Sequence, residues 1–527
     1  KRLSIGVART RTQTRLGERG TRAGVNSVLE ACSAAGVREF CVCAGARNVE
    51  LVVGLERSSG CRVWHFFEER SAAFFALGRM MKTGRPVAVV TTSGTAVAEL
   101  LPATVEAYYQ SLPLVLITAD RPASFRGSGA PQAIEQVGIF STYARCIDLT
   151  EMRSTSARGC RDRECMGATL SEAVGVGQCV HINVCLAEPD AESVAALEGV
   201  EFLAQASVLA SPSLAADGER LQAEMLEPRD GLVVMLGNLR EDERVGLAEF
   251  LRRLGAPVLA EAGSGLREKL PVLCVCEVPD GIRRVLRIGG VPSGRFWRDL
   301  EVRLDVEVIS VSRGGLAGLA RDCTVVRCAD WETLEIEPAD AATRTASDEG
   351  VLTGELRWFR LLSEQIPAGS LVYLGNSLPI REWNQAATYE DRGLRCFSSR
   401  GANGIDGQLS TFFGLSEEEA ESWVIVGDLT AMYDLSAPWA LREVGSGKRR
   451  IVVINNGGGR IFSKLPALAG LADGERRAIE NDHGVSLEHW AAMWGMGYVK
   501  VVRADDFVVD DSVAAMVIEI FVGGGAA

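Results

Sequence analysis

The chain has 527 residues, a formal net charge of −13 and 14 cysteines, with 47% hydrophobic and 24% charged residues. This length exceeds the roughly 100–200 residues of one domain, which predicts about three folded units and excludes a small binding module. The negative charge and the scattered basic residues argue against nucleic-acid binding, and no apolar run approaches the roughly 18 residues of a membrane span.

The first 23 residues are basic and lack the apolar core of a signal peptide, so we predict an N-terminal tail over residues 1–23. Their Arg and Thr content also suits a transit peptide, which keeps organellar import as an alternative to a cytoplasmic location. The cysteines form no C-x-x-C pair of the zinc or redox type, and they predict buried free thiols in a reducing compartment.

Apolar runs alternate with helical patterns along most of the chain, which predicts α/β domains with doubly wound parallel sheets. Residues 24–192 form the first predicted domain, with strands in REFCVCAG, RVWHFF, RPVAVVTTSGT and LPLVLITADRP and a helix in EERSAAFFALGRMM. Residues 193–345 form a smaller middle domain around GLVVMLGN, APVLAEAG and RRVLRIGG. After a linker-like segment, 335–350, residues 346–527 form a third domain around SLVYLGNS, SWVIVGDL and RRIVVINN.

A βαβ unit in the third domain carries a candidate metal site. Its first strand ends at Gly427 and Asp428, a helix is predicted over YDLSAPWALREV, and the second strand runs into RRIVVINNGGGRIF. Because parallel strands bring their carboxyl ends to one edge, Asp428 and Asn456 should meet there, and their oxygens suit Mg²⁺. A capping Asp followed by a glycine-rich turn explains the same residues without a metal.

These residues resemble the thiamine-diphosphate signature, a Gly-Asp start with a downstream Asn-Asn pair. The usual third residue of that signature is Gly, whereas Leu429 stands here. Leu at this place is typical of the menaquinone-pathway family, the 2-succinyl-5-enolpyruvyl-6-hydroxy-3-cyclohexene-1-carboxylate synthases. The spacing is one residue longer than usual, so Asn455 and Asn456 both remain candidate ligands, and alignment on G-G-x-I-F favours Asn456 with the carbonyl of Gly458. The resemblance implies thiamine diphosphate with Mg²⁺ or Mn²⁺ as cofactors.

FFEERSAAFFALG is similar to the family segment that supplies the cofactor-activating glutamate, and the match falls on Glu69. The neighbouring phenylalanines suit a raised carboxyl pKa, as proton transfer requires. The alternative is that Glu68 and Glu69 only favour a helix N-terminus through the macrodipole.

The family resemblance also covers TTSGTAVAELLPATVEAYYQSLPLVLITADRP, GNSLPIREW, SSRGANGIDGQLSTFFG and HGVSLEHWAAMWG. It implies decarboxylation of 2-oxoglutarate and conjugate addition of the succinyl carbanion to isochorismate. The family positions for substrate binding fall on Arg47, Arg121, Gln132, Ser377, Arg381, Arg400 and Leu465. Those around the cofactor fall on Gly427, Leu429, Ile405 and Phe462. Surface ion pairs for the arginines and plain core packing for Ile405, Phe462 and Leu465 are the alternatives.

The chain departs from the family pattern at a few substrate positions. Ala44 and Ala46 replace a Pro and a hydroxyl residue, Pro131 replaces an Asn, and Arg295 alone remains of a possible basic pair. These changes concern substrate choice rather than the cofactor.

The resemblance further implies a homodimer or homotetramer in which Glu69 and the metal motif come from different subunits. Rival interpretations are another thiamine-diphosphate decarboxylase or carboligase and a catalytically silent scaffold.

Overall fold

A computed structural model describes residues 24–150, 157–202, 220–271, 273–275, 278–327, 329–339, 352–465, 468 and 470–522. The predicted tail over 1–23 and the linker from residue 340 onward lie outside these ranges. The chain divides into two compact units, one ending at Pro212 and the other beginning at Ser213.

The first unit contains a six-stranded sheet in which all strands run parallel. Its strands are β1 (Glu39–Cys43), β2 (Arg62–Phe66), β3 (Val87–Thr91), β4 (Leu114–Asp120), β5 (Ala144–Leu149) and β6 (Cys179–Cys185). The strand order is β2-β1-β3-β4-β6-β5. Strands β3, β4 and β6 are buried along their whole length, as expected for a parallel sheet that helices cover on both faces.

Helices connect the strands of the first unit. They are α1 (24–34), α2 (Val49–Glu56), α3 (Glu69–Thr83), α4 (Thr95–Ala98), α5 (Leu101–Gln110), α6 (Ala157–Gly175) and α7 (Ala191–Ala195). Helix α3 ends because Gly84 adopts a left-handed φ of 66° and its N–H bonds back to the carbonyl of Met80.

The second unit contains two further parallel sheets. The five-stranded middle sheet consists of β7 (Leu232–Leu236), β8 (Val258–Ala260), β9 (Arg284–Ile288), β10 (Glu307–Val311) and β11 (Thr324–Val326). The six-stranded third sheet consists of β12 (Leu371–Leu374), β13 (Arg395–Phe397), β14 (Glu421–Gly427), β15 (Lys448–Asn455), β16 (Gly497–Val501) and β17 (Ala515–Phe521). The helices are α8 (Leu247–Leu254), α9 (Arg295–Asp299), α10 (Leu356–Gln365), α11 (Leu378–Ala386), α12 (Gln408–Leu415), α13 (Asp428–Tyr433), α14 (Asp473–Glu480) and α15 (Glu488–Met493).

The three sheets share one strand order. The third sheet runs β13-β12-β14-β15-β17-β16, which repeats the order of the first sheet strand for strand. The middle sheet, β11-β10-β9-β7-β8, has the same order without a sixth strand. In each sheet the second strand lies on one side of the first strand, and the third strand lies on its other side. The chain direction across the sheet therefore reverses next to the first strand. Ligands typically bind at such switch points, outside the carboxyl ends of the strands. The predicted fold class, three doubly wound α/β domains, is confirmed.

The predicted helix over YDLSAPWALREV is wrong. Helix α13 ends at Tyr433, and a separate 3₁₀ turn covers Ala437–Arg442. Pro438 has no backbone N–H to donate into a preceding helical turn. The carboxylate of Asp434 instead accepts hydrogen bonds from the N–H and hydroxyl of Ser410, which fixes the break.

The predicted domain boundaries at 192/193 and 345/346 fall between the sheets and stay predictions. The backbone of residues 200–202 pairs with Ser59, and Phe202 packs into the core of the first unit. These contacts favour a first boundary beyond residue 202. No helix in the described ranges combines the length and apolar character needed to cross a membrane.

A buried histidine lies in the middle of β6. The Nε2 atom of His181 is 2.8 Å from the hydroxyl of Thr118, and its Nδ1 atom is 3.6 Å from the sulfur of Cys146. Its ring packs edge-on against Phe140. Burial lowers the pKa of His181 to about 4, against an opposing effect of Asp148.

Replacing His181 with Gln should flatten the pH dependence of stability. The unfolded chain protonates this histidine below its ordinary pKa of about 6.5, whereas the folded chain does not until about pH 4. The free energy of unfolding should therefore fall as the pH drops through this window, by about 3 kcal/mol from this group alone. Calorimetry of the full chain at pH 7.5 and 4.5 measures the difference. Equal pH dependence in both proteins would contradict the assignment.

Candidate active site

The predicted site residues of the first unit follow the carboxyl ends of parallel strands. Arg47 comes after β1, Glu69 after β2, and Arg121 directly after β4. Because these strands share one edge of the sheet, the loops that carry the three side chains gather there.

Glu68 and Glu69 have different surroundings. Glu68 is the N-cap of α3, and its carboxylate accepts hydrogen bonds from the N–H groups of Arg70 and Ser71. Glu69 is the first residue of the helix, partly buried. Burial raises its pKa, and the charges of Glu68 and Glu99 act in the same direction, while a backbone hydrogen bond opposes them. The capping interpretation therefore applies to Glu68 and leaves the Glu69 carboxyl available for proton transfer.

Three of the four phenylalanines near Glu69 in the sequence are buried, and one is exposed. Phe66, Phe74 and Phe75 have exposed fractions of 6%, 3% and 0%, whereas Phe67 is 56% exposed. Three of the four phenylalanines on which the predicted apolar setting of Glu69 relies are therefore buried.

Two predicted anion-binding arginines lie near each other in the first unit. Burial lowers the pKa of Arg47, and the charge of Arg121 adds to this effect. Arg121 donates from Nε to the carbonyl of Pro131 at 2.7 Å. Pro131, which replaces the Asn of the family pattern, therefore fixes the orientation of the Arg121 side chain through its backbone. Two like charges in proximity favour binding of an anion, because the anion relieves their repulsion.

A buried polar network that the sequence did not predict holds the adjacent loops. The amide of Gln136 accepts from the N–H of Gly94 at 3.0 Å and donates to the carbonyl of Ala119 and to Asn183 at 3.1 and 2.9 Å. Asn183 in turn donates to Asp120 at 3.0 Å. Polar residues within apolar strands, such as Asn183 in β6, are the feature of the sequence that could have indicated this network. Their partners could not be identified, because Gln136 and Asp120 are 47 and 63 positions away.

Gln132 is exposed and lies in the same loop, with a left-handed φ of 58°. A Cβ atom added to Gly94 would lie 3.2 Å from the Cβ atom of Gln132. The loop that carries Gln132 therefore packs directly on the glycine that opens α4.

In the second unit, Asp428 follows β14 and faces the glycine run after β15. Its Oδ2 atom accepts from the N–H groups of Gly457 and Gly458 at 2.9 and 3.0 Å, and its Oδ1 atom accepts from Leu429 at 2.6 Å. The strands pair in parallel with Gly427 opposite Ile454. The Asp428 carboxylate therefore contacts the glycine run that directly follows Asn456, while the meeting of Asp428 with Asn456 itself stays a prediction.

The two candidate asparagines differ in their contacts. Asn455 is the last residue of β15, and its amide nitrogen donates to Val485 and Glu519, while its Oδ1 atom accepts from Gly457. Asn456 donates from Nδ2 to Glu355 at 3.1 Å, and its Oδ1 atom accepts no hydrogen bond from any described residue. These contacts favour Asn456 as the ligand.

A second segment clamps the glycine-rich loop. The carbonyl of Glu480 accepts from Gly459, and its carboxylate pairs with Arg460. The N–H of His483 bonds to the carbonyl of Gly457 at 3.2 Å. The Nε2 atom of His483 lies 3.3 Å from Asp428 Oδ2 and makes no hydrogen bond to a described residue.

Asn376, which follows β12, organises the neighbouring loop. It donates to the carbonyls of Ser399 and Gly404 at 2.8 and 2.7 Å, and its Oδ1 atom accepts from Arg400 at 3.0 Å. Ser377 has a φ of 72°, a strained conformation for a residue with a side chain. Sequence reasoning proposed Ser377 and Arg400 but missed Asn376, which contacts Arg400.

Like charges also gather around Arg381. Burial lowers its pKa, and the charges of Arg400 and Arg298 add to this effect, while Glu261 opposes it. The Nε atom of Arg400 and the Oε2 atom of Glu261 are buried without a hydrogen-bond partner among the described residues. The sequence did not predict Arg298, in α9, or Glu261, in the loop after β8, because only folding brings them near Arg381.

Two of the three predicted apolar site residues are not plain core. Phe462 and Leu465 are 36% and 38% exposed, and Ile405 is partly buried. The core interpretation therefore does not apply to Phe462 and Leu465.

The residues at the Asp428 edge fit a metal-bound diphosphate. Asp428, Asn456 and the carbonyl of Gly458 are the oxygen donors that Mg²⁺ prefers. A Cβ atom added to Gly427 would meet nothing within 4 Å, so there is open space beside Asp428. No group of three or more His, Cys, Asp or Glu residues in the described ranges is arranged to bind a metal, so this site depends on amide and carbonyl oxygens.

Comparisons with known proteins identify the family. Residues 22–139 match the family model of the thiamine pyrophosphate enzyme N-terminal TPP binding domain. The 2-succinyl-5-enolpyruvyl-6-hydroxy-3-cyclohexene-1-carboxylate synthase of Akkermansia muciniphila is 41% identical over 93% of both chains. The synthase of the same name from Bdellovibrio bacteriovorus is 40% identical over 88% of this chain and 89% of its own. The chain belongs to this synthase family.

Membership of the synthase family confirms several predictions. The predicted family, the assignment as a carbon–carbon bond-forming transferase and thiamine diphosphate as the cofactor are confirmed. A third member, from Geobacillus thermodenitrificans, is 33% identical over 82% of this chain and 81% of its own. The roles of individual residues stay predictions.

Replacing Gly458 with Ala should destabilise the protein, while Gly427→Ala should not. An added Cβ atom at Gly458 would lie 2.5 Å from the carbonyl oxygen of Glu480, at a φ of 140°. We expect a loss of about 2 kcal/mol or more at Gly458 and less than about 0.5 kcal/mol at Gly427. Thermal unfolding without cofactor measures both, and equal midpoints for the two variants would contradict the expectation.

Proposed function

We propose that this chain decarboxylates 2-oxoglutarate and adds the succinyl unit to isochorismate, giving 2-succinyl-5-enolpyruvyl-6-hydroxy-3-cyclohexene-1-carboxylate in menaquinone or phylloquinone biosynthesis. The observation that carries the proposal is the 41% identity to a synthase of that product over 93% of both chains. The arginine clusters at the sheet edges support it, because both substrates are carboxylates.

The proposed cofactor site uses the Asp428 edge of the third sheet. Asp428, Asn456 and the carbonyl of Gly458 hold Mg²⁺ or Mn²⁺, and through it the diphosphate. The cofactor contacts are proposed for Gly427, Leu429, Ile405 and Phe462. Bound thiamine diphosphate supplies the electron sink for decarboxylation and carbon–carbon bond formation.

The proposed role of Glu69 is to hold a hydrogen bond to a ring nitrogen of the aminopyrimidine and so to control its proton. Its position next to Glu68 supports this role, because Glu68 is the residue whose side chain caps the N–H groups of Arg70 and Ser71. The raised pKa of Glu69 supports it too, because a carboxyl with a pKa nearer neutrality exchanges a proton more readily at neutral pH.

The proposed substrate contacts are divided between the two units. In the first unit they are Arg47, Arg121 and Gln132, and in the second they are Ser377, Arg381, Arg400 and Leu465. Guanidinium groups bind carboxylates through two parallel hydrogen bonds, which fixes orientation as well as charge.

We also propose a homodimer or homotetramer in which Glu69 of one subunit and the metal-binding residues of another serve one cofactor, as the family resemblance implies. A cytoplasmic location is part of the proposal. It is supported by eleven cysteines of the described part of the chain, which are free thiols.

Replacing Glu69 with Gln should reduce product formation by at least about a hundredfold, because general acid–base catalysis contributes about 10²–10⁴-fold. The matched control is Glu68→Gln, which keeps an oxygen that can accept the capping hydrogen bonds. Mass spectrometry of the product from 2-oxoglutarate and isochorismate, with thiamine diphosphate and Mg²⁺, measures both variants.

This assay also separates the rival functions. Formation of the adduct supports the proposal. Release of carbon dioxide without adduct would indicate another carboligase or decarboxylase of the same cofactor class. Absence of both turnover and cofactor binding would support a silent scaffold.

Replacing Arg381 with Lys should raise the KM for one of the two carboxylate substrates about tenfold with a smaller change in kcat. Lysine keeps the charge but loses the paired hydrogen bonds, and a hydrogen bond to a charged group contributes about 1.5–3 kcal/mol. Arg252→Lys, in an exposed pair with Glu249, is the control. Unchanged KM values for both substrates would remove Arg381 from the proposed set.

A further inference from the structure

Glu355 contacts the proposed metal ligand Asn456 from a distant part of the chain. It is the N-cap residue of α10, 101 positions away in sequence. The Nδ2 atom of Asn456 lies 3.1 and 3.5 Å from the two carboxylate oxygens of Glu355. The family resemblance implies no role for Glu355.

The contact determines which way the asparagine amide points. Nδ2 and Oδ1 lie on opposite sides of the amide, so holding Nδ2 against Glu355 turns Oδ1 away from it. Glu355 keeps at least one accepting oxygen in either protonation state, so the orientation does not depend on its charge. The Oδ1 atom accepts no hydrogen bond from a described residue and is the free oxygen that a metal ion requires.

Glu355 lies near a second buried carboxyl, that of Glu382. The side chain of Glu382 is 2% exposed and pairs with Lys464. Lys464 closes the 3₁₀ turn Phe462–Lys464, which carries the proposed cofactor contact Phe462. The Glu382–Lys464 ion pair therefore lies between Glu355 and the loop that carries Phe462.

We propose that Glu355 is a positioning residue that orients Asn456 so that its carbonyl oxygen faces the metal. This rests on the proposed metal site at Asp428 and Asn456. Partners of this kind typically change metal affinity by 10–100-fold when they are lost, because the ligand then samples unproductive orientations.

The test compares Glu355→Gln with Glu355→Met in the full chain. The two side chains have similar length, but only glutamine keeps an oxygen that accepts from Asn456. The dissociation constant for Mn²⁺ in the presence of thiamine diphosphate is measured from the electron paramagnetic resonance signal of free Mn²⁺. We expect Glu355→Met to raise it at least about tenfold and Glu355→Gln to stay within about threefold of wild type. Glu364→Met, on the exposed face of the same helix, is the control.

A double-mutant cycle distinguishes positioning from a general loss of charge or structure. In an Asn456→Ala background, Glu355→Met should weaken Mn²⁺ binding no further, because its effect acts through Asn456. Equal weakening by Gln and Met, wild-type affinity in Glu355→Met, or full additivity with Asn456→Ala would each overturn the proposal. If wild type itself binds no Mn²⁺ with thiamine diphosphate, the metal site fails and this proposal fails with it.

Discussion

Parallel strand pairing is the constraint on which the rest of this molecule depends. Parallel sheets are covered by helices on both faces, so most side chains of their strands are buried and apolar. Most candidate site residues lie instead beyond the carboxyl ends of the strands, and in each sheet these ends share one edge. The chain uses the same strand order in all three sheets, which places a switch point between β1 and β3, between β7 and β9, and between β12 and β14.

Buried polar side chains, rather than apolar packing, fix the loops at these edges. Gln136 in the first unit and Asn376 in the second each satisfy several backbone or side-chain groups at once. An unpaired buried amide or carbonyl costs about 1–3 kcal/mol, so each network penalises any loop conformation other than the observed one. This rigidity holds the candidate site residues in place before a ligand arrives, which lowers the entropy cost of binding.

Several local rules of stable folding are violated where the site is proposed. Ser377 has a left-handed backbone, Arg381 lies among other arginines, and Arg400 and Glu261 keep buried polar atoms without described partners. Each feature costs stability in the isolated fold. Anionic substrates would relieve the charge repulsion, and a site that becomes more stable only when it is occupied is the expected signature of binding.

By itself, the sequence determined most strands, the parallel architecture and the placing of Asp428 and the glycine-rich loop at one edge of the sheet, because hydrophobic runs and the βαβ crossover are local signals. It also determined the family, since the motifs are short runs of the chain. Only the tertiary structure broke the helix after Tyr433 and brought Glu355 to Asn456. Those outcomes depend on which distant side chains satisfy each polar group, and the Asn456–Glu355 contact spans 101 positions. Pairing at that separation is set by how the elements pack, which no periodicity in the chain encodes.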